Sequence, residues 1–144
     1  MHRLLLISFL LTANMAFAQT EITWEDLEDV EFTDLFDDEI EEFVSHPHFG
    51  PSVMAMSGME VSLRGYILAL KPEEGYYILS KGPLSSCFFC GVGGPETVVE
   101  LKLNNDKQYF MMDEVVTIKG TLKLNADDIY QCIYILDYAE VYRK

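Results

Sequence analysis

From Met59 to the C-terminus, apolar and polar residues alternate in short runs separated by turn-forming residues, the pattern of half-buried β-strands. The runs predict strands at Met59–Leu70, Tyr76–Ser80, Thr97–Leu103, Val115–Leu124 and Ile129–Tyr142, the first two joined by Lys71-Pro72-Glu73-Glu74-Gly75. Five strands without intervening crossover helices favour a small closed barrel or sandwich over a parallel sheet. Val61-Ser-Leu-Arg-Gly65-Tyr-Ile and Val116-Thr-Ile-Lys-Gly120-Thr-Leu share one form, displaced by 55 residues. After Gly65 the apolar residues Tyr66, Ile67 and Leu68 occupy both parities, as expected where a strand bends and begins to serve a second face. Strand count, order and glycine positions therefore predict a mostly β fold, a five-stranded OB-fold-like barrel over residues 58–144. Asn104 to Glu114 leaves room for only a turn or two of the helix usual between the third and fourth strands of that fold.

The first part of the chain has a different pattern. Met1 to Arg3 form a short positive end, Leu4 to Leu11 an unbroken apolar run, and Ala16-Phe17-Ala18 a small-x-small cleavage signal. Residues 1–18 are expected to be a secretory signal peptide, too short to span a bilayer, leaving no stable membrane insertion after cleavage. The expected location is exported, either periplasmic or secreted, where disulfides persist.

Between them, residues 19–57 read as an acidic arm and linker. Phe36, Ile40, Phe43 and Val44 stand at helical spacing, and Thr23 and Thr33 are placed to cap short helices, so a short helical arm packed on the barrel is expected. His46-Pro47-His48-Phe49-Gly50-Pro51 breaks the periodicity and links the arm to the barrel.

Charge sharpens this division. The chain of 144 residues carries a formal net charge of -14. Twelve acids and no Lys or Arg lie between Gln19 and Val44, so the remainder of the mature chain is nearly neutral. This balance argues against a nucleic-acid partner, because such binders draw affinity from cationic side chains. A calcium loop is also disfavoured, since no glycine lies between Gln19 and Phe49 to form its turn. The acids read as a solvated face.

One segment carries candidate chemistry: Ser86-Cys87-Phe88-Phe89-Cys90-Gly91, followed by Val92-Gly93-Gly94-Pro95-Glu96. A C-x-x-C spacing brings two sulfurs within reach of one metal ion. The glycine after the second cysteine permits a positive φ that turns backbone amides toward the thiolates. Three readings stay open: a short-loop disulfide, a site for zinc or another thiophilic metal, and a redox pair. In the metal reading Cys132, His46, His48 and Glu96 are weaker candidates to complete the shell. The redox reading suffers because three glycines and a proline follow the cysteines, so no helix N-terminus stabilises a thiolate, and no Lys, Arg or His lies within five residues. Cys132, in Tyr130-Gln-Cys-Ile-Tyr-Ile-Leu136, also reads as a small buried residue of the last strand. No catalytic triad, phosphate loop or paired-carboxylate signature stands out.

The stretch Pro83-Leu-Ser-Ser-Cys-Phe-Phe-Cys-Gly-Val-Gly-Gly-Pro-Glu96, with Gly65-Tyr66-Ile67, Trp24-Glu-Asp-Leu27 and Pro47-His-Phe49, resembles an uncharacterised family of exported bacterial proteins with an OB-fold-like core. Its most specific part is S-C-F-F-C-G-x-x-G-P-E. The chain is more distantly similar to a periplasmic family of unknown function in which one cysteine and a nearby histidine occupy the corresponding loop, sometimes beside metal-transport components. The second likeness implies a metal role for Cys87 and Cys90 and no activity; taken with the residues, the expected function is a non-enzymatic binding or accessory protein whose partner is a metal ion or another protein. A thiol-disulfide redox protein and a purely structural interaction domain are the alternatives.

Overall fold

The structure, a computed structural model, describes residues 19–143. The expected signal peptide at residues 1–18 lies outside the described residues. The elements in chain order are β1 (Thr20–Glu21), β2 (Val30–Asp37), β3 (Glu42–Phe49), α1 (Pro51–Met56), β4 (Glu60–Lys71), β5 (Tyr76–Ser80), β6 (Val98–Leu103), β7 (Val115–Leu124) and β8 (Tyr134–Arg143). Strands β4 to β8 form a closed five-stranded barrel in the order β4-β5-β6-β8-β7, with β7 pairing back on β4. All these pairs are antiparallel except β6–β8, where Glu100 lies opposite Ile135. The fold is mostly β, as the alternation predicts.

Alternation along the strands sorts the side chains into two sets. Leu63, Ile67, Tyr77, Leu79, Val99, Leu101, Val116, Ile118 and Leu136 point into the barrel. Leu68, Ile78 and Val98 lie on the opposite face and form a smaller cluster with Cys87. Ile67 and Leu68 thus serve different cores, as expected of a strand that turns a corner after Gly65. Residues Asn104 to Glu114 form turns rather than a helix, but they send Phe110 into the barrel against Tyr77, edge-on with 5.3 Å between ring centroids.

The amino-terminal part is integral to this core. β1 adds to the sheet in parallel with β4, and Ile22, Trp24, Leu27 and Val53 are buried among the barrel residues. Trp24 Nε1 donates to the Arg64 carbonyl at 2.9 Å, and Tyr134 Oη donates to the Leu27 carbonyl at 2.7 Å, so two aromatic side chains bolt the segment to β4 and β8. A 3-10 turn at Glu25–Leu27 and the helix α1 are its helical elements. Pro51 opens α1, where its missing N–H costs nothing, and Asp29 accepts the Ser52 N–H at 3.0 Å.

The helix expected around Phe36–Val44 is corrected to a β-hairpin, β2–β3, in which Phe36 pairs with Phe43 and Asp37 with Glu42. Two phenylalanines seven residues apart face one another across a four-residue turn as well as along a helix, and here their rings meet at 5.3 Å. Asp37 closes the turn by accepting the Glu39 N–H at 2.8 Å, and Glu41 takes the left-handed conformation (φ 55°) that glycine more often supplies. The last strand also begins later than its apolar run suggests. Asn125 Nδ2 donates to the carbonyls of Asp128, Gln131 and Cys132, which holds residues 125–133 as a connection. Among the described residues no helix is long and apolar enough to cross a membrane.

Candidate functional site

The connection from β5 to β6 crosses the outer face of the barrel and carries the cysteines. Lys81 N–H donates to the Thr97 carbonyl at 3.0 Å, which closes the loop at its base. Its middle is tied to the rest of the chain by Asp113, whose carboxylate accepts the Leu84 N–H at 2.7 Å while its own N–H donates to the Ile67 carbonyl at 2.8 Å. Between these anchors the backbone forms 3-10 turns at Leu84–Ser86 and Phe88–Cys90. Cys87, between the turns, is extended (φ -97°, ψ 170°).

This geometry sends the two thiols to different depths. Cys87 is buried against Leu68, Ile78 and Val98, whereas Cys90 is exposed. Their sulfurs stand 3.8 Å apart, and the Cys90 thiol donates to the Leu84 carbonyl at 2.9 Å. All three cysteines are free thiols. Gly91 has the expected positive φ (78°), but the amides it redirects bond to oxygen. Gly91 N–H donates to the Phe88 carbonyl at 2.8 Å and Val92 N–H to the Cys87 carbonyl at 3.2 Å. The glycine therefore closes the cysteine turn.

The Cys90 thiol is raised above its ordinary pKa, chiefly by the hydrogen bond with Cys87. A nucleophilic cysteine needs the opposite shift, supplied by a cation or a helix N-terminus. A metal ion, in contrast, displaces the thiol proton outright.

The remaining candidates do not assemble around this pair. His46 and His48 project from the same side of β3 with ring centroids 5.3 Å apart, as their spacing suggests, but they belong to the hairpin, opposite Thr33 and Glu31. Glu96 sits in the 3-10 turn Pro95–Thr97, and its charge acts on Tyr134. Cys132 lies just before β8 and packs against the small cluster that includes Cys87. Among the described residues no three His, Cys, Asp or Glu side chains are placed to hold one metal ion.

Glu100 is a buried acid beside these groups that the strand pattern disguises. In Val98-Val99-Glu100-Leu101-Lys102 it shares the parity of Val98 and Lys102, which reads as a solvated outer face, yet the residue is buried, with Cys132 of the segment before β8 hydrogen-bonded to it. Its carboxylate pairs with Lys102 Nζ and accepts the Cys132 N–H at 3.1 Å. Burial first, and then Glu100, pushes the Cys132 thiol up to about 12, and the same two causes raise Tyr76. A cleft of about 200 Å³ opens beside these groups, lined by Tyr76, Phe88, Phe89, Tyr130 and Cys132. A lone acid in an otherwise apolar run, two residues before a lysine, was the signal available in the sequence.

Barrel and loop together define a mostly β protein with a two-thiol turn on the outer wall of a closed five-stranded barrel. The fold is similar to the crystal structure of a DUF3299 family protein from Pseudomonas aeruginosa PAO1, with a TM-score of 0.51 and 20% sequence identity over 88% of this chain and 98% of that one. At that identity the likeness is one of fold. No protein-family model matches the chain, and no curated protein does.

Proposed function

We propose that this is an exported, non-enzymatic binding or accessory protein that takes a thiophilic metal ion, such as zinc or copper, on Cys87 and Cys90. The carrying observation is the sulfur separation of 3.8 Å. Two thiolates about 2.3 Å from one tetrahedral zinc stand about 3.8 Å apart, so both sulfurs accept a shared ion with little movement. Binding would release a proton from each ionising thiol and form two metal-sulfur bonds. With two protein donors, the remaining coordination comes from water or from a partner that shares the ion. The raised Cys90 thiol weighs against the redox alternative.

Export is supported by the leader pattern of residues 1–18. An OB-fold-like barrel is supported by the strand order and the parallel β6–β8 pair. The S-C-F-F-C-G-x-x-G-P-E loop is proposed as the mark of an uncharacterised exported family, and nucleic acid is disfavoured as a partner by the acidic charge.

Native mass spectrometry of the mature chain, offered zinc or cuprous ion after purification with reductant, tests the reading. One ion per chain, lost when Cys87→Ser and Cys90→Ser are combined, is expected; no uptake of either ion overturns it. A mass lower by about two daltons without reductant, restored by reduction, would identify the structural disulfide instead.

A further inference from the structure

The β2–β3 hairpin and the 125–133 connection face one another across an open groove of about 640 Å³, whose Ile129, Gln131 and Ile133 also line the cleft beside the cysteine loop. Its walls carry large apolar side chains left in solvent. Phe36, on the hairpin wall, is 53% exposed, and Ile129, on the other wall, is 40% exposed. Such exposed side chains, gathered in one concave place, mark an interaction surface.

The charge along the groove has one sign. Asp37, Asp38 and Glu39 line one lip, Asp127 and Asp128 the other, and no Lys or Arg is among the lining residues. Two of these acids are committed within the chain. Asp37 holds the hairpin turn, and Asp128 accepts the Tyr130 N–H and the Gln131 amide at 3.0 and 2.7 Å. The carboxylates of Asp38, Glu39 and Asp127 have no hydrogen-bond or ion-pair partner among the described residues, so their charge is available to an occupant.

The two walls also differ in stiffness. Asn125 staples one through three backbone carbonyls. The hairpin forms a sheet of its own, outside the barrel's hydrogen-bonded ladder, and a two-stranded ribbon adapts readily.

We propose that this groove docks a peptide segment of a partner protein that carries Lys or Arg among apolar residues. Complementarity selects that occupant. A second copy of this chain would bring a like net charge of -14, and nucleic acid or anionic lipid would be repelled in the same way. The apolar walls favour a segment with side chains to bury over a simple cation. The arm's concentrated charge would steer encounter, and Phe36 and Ile129 would hold the bound segment.

A short fluorescein-labelled peptide of alternating Lys and Leu, titrated with the mature protein and followed by anisotropy, tests this. Saturable binding is expected. Asp38→Asn, Glu39→Gln and Asp127→Asn combined should weaken it by at least about tenfold and flatten its salt dependence. Neutralising Glu60, Glu73 and Asp106, an equal change of charge elsewhere, should alter it by less than about twofold. Ile129→Ser, on the stapled wall, should weaken it without changing the salt dependence. Absence of saturable binding, equal losses from the two sets of charge variants, or equal binding of an alternating Lys and Ser peptide would each overturn the proposal.

Discussion

Gly65 of β4 lies opposite Val116 of β7, and reciprocally Gly120 of β7 lies opposite Val61 of β4. The internal echo of the sequence is therefore a pair of strands that close the barrel against each other, with Leu63 facing Ile118 at the centre. Each glycine marks a crowded point. A Cβ on Gly65 would stand 2.6 Å from the Ser80 carbonyl oxygen and 3.0 Å from the Trp24 ring, and one on Gly120 would stand 2.8 Å from the Asp137 carbonyl oxygen.

Because the nearest of those neighbours are backbone atoms, they yield only by moving a strand. Gly65→Ala and Gly120→Ala should each lower stability by about 1 to 3 kcal/mol, the usual cost of overpacking a closed core. Denaturant unfolding followed by fluorescence of Trp24, the single tryptophan, measures both. Gly65→Ala should also shift the native emission, since the added methyl displaces the indole from the Arg64 carbonyl. A cost below about half a kcal/mol would show that the corner relaxes freely.

Glu100 makes a different kind of demand. Its carboxylate satisfies the Cys132 N–H and helps hold that thiol at about 12, so Cys132 should resist alkylation at pH 8 while exposed Cys90 reacts. Glu100→Gln keeps an acceptor for the N–H and removes the negative charge, which lowers the Cys132 pKa and should speed its alkylation. Glu100→Ala leaves the buried N–H unpaired and should cost about 1 to 3 kcal/mol more than Glu100→Gln. Mass-resolved alkylation of Cys87→Ser, Cys90→Ser protein isolates the Cys132 rate. An alkylation rate left unchanged when Glu100→Gln is added to that protein would remove the carboxylate from the account.

The barrel was legible because its strands obey a local rule: half-buried strands alternate, and Tyr76–Ser80 and Val115–Leu124 could be bounded to the residue. Three features escaped because they depend on partners distant in sequence. The Phe36–Phe43 spacing fits a helix and a hairpin equally, and the turn between them lacks the glycine that would have distinguished the two. The strand expected from Ile129 starts at Tyr134 because an Asn125 side chain satisfies the intervening carbonyls. Glu100 looked solvated because alternation reveals parity and says nothing about a distant segment that bonds to the outer face. At the candidate site, the C-x-x-C spacing brought the two sulfurs together as expected. His46 and His48 went to the hairpin, where β3 places them, and Glu96, in the same connection as the cysteines, is held in the 3-10 turn at its base, outside any shared donor group among the described residues.

The pH dependence of metal uptake follows from the turn. Cys90 sits beside Cys87 with its pKa raised, so at neutral pH its sulfur carries a proton that an incoming ion must displace. Apparent affinity should therefore rise with pH by at least about tenfold per unit across neutral pH, and level off only above the raised thiol value. Competition titration with a chromophoric zinc chelator at several pH values measures the slope. Cys90→Ser should abolish tight binding, because it removes one of two donors. Cys132→Ser should change affinity by less than about twofold, since no third donor is grouped with the pair among the described residues. A large loss in Cys132→Ser would instead make Cys132 a ligand, with the small cluster it shares with Cys87 as the path by which it reaches the ion.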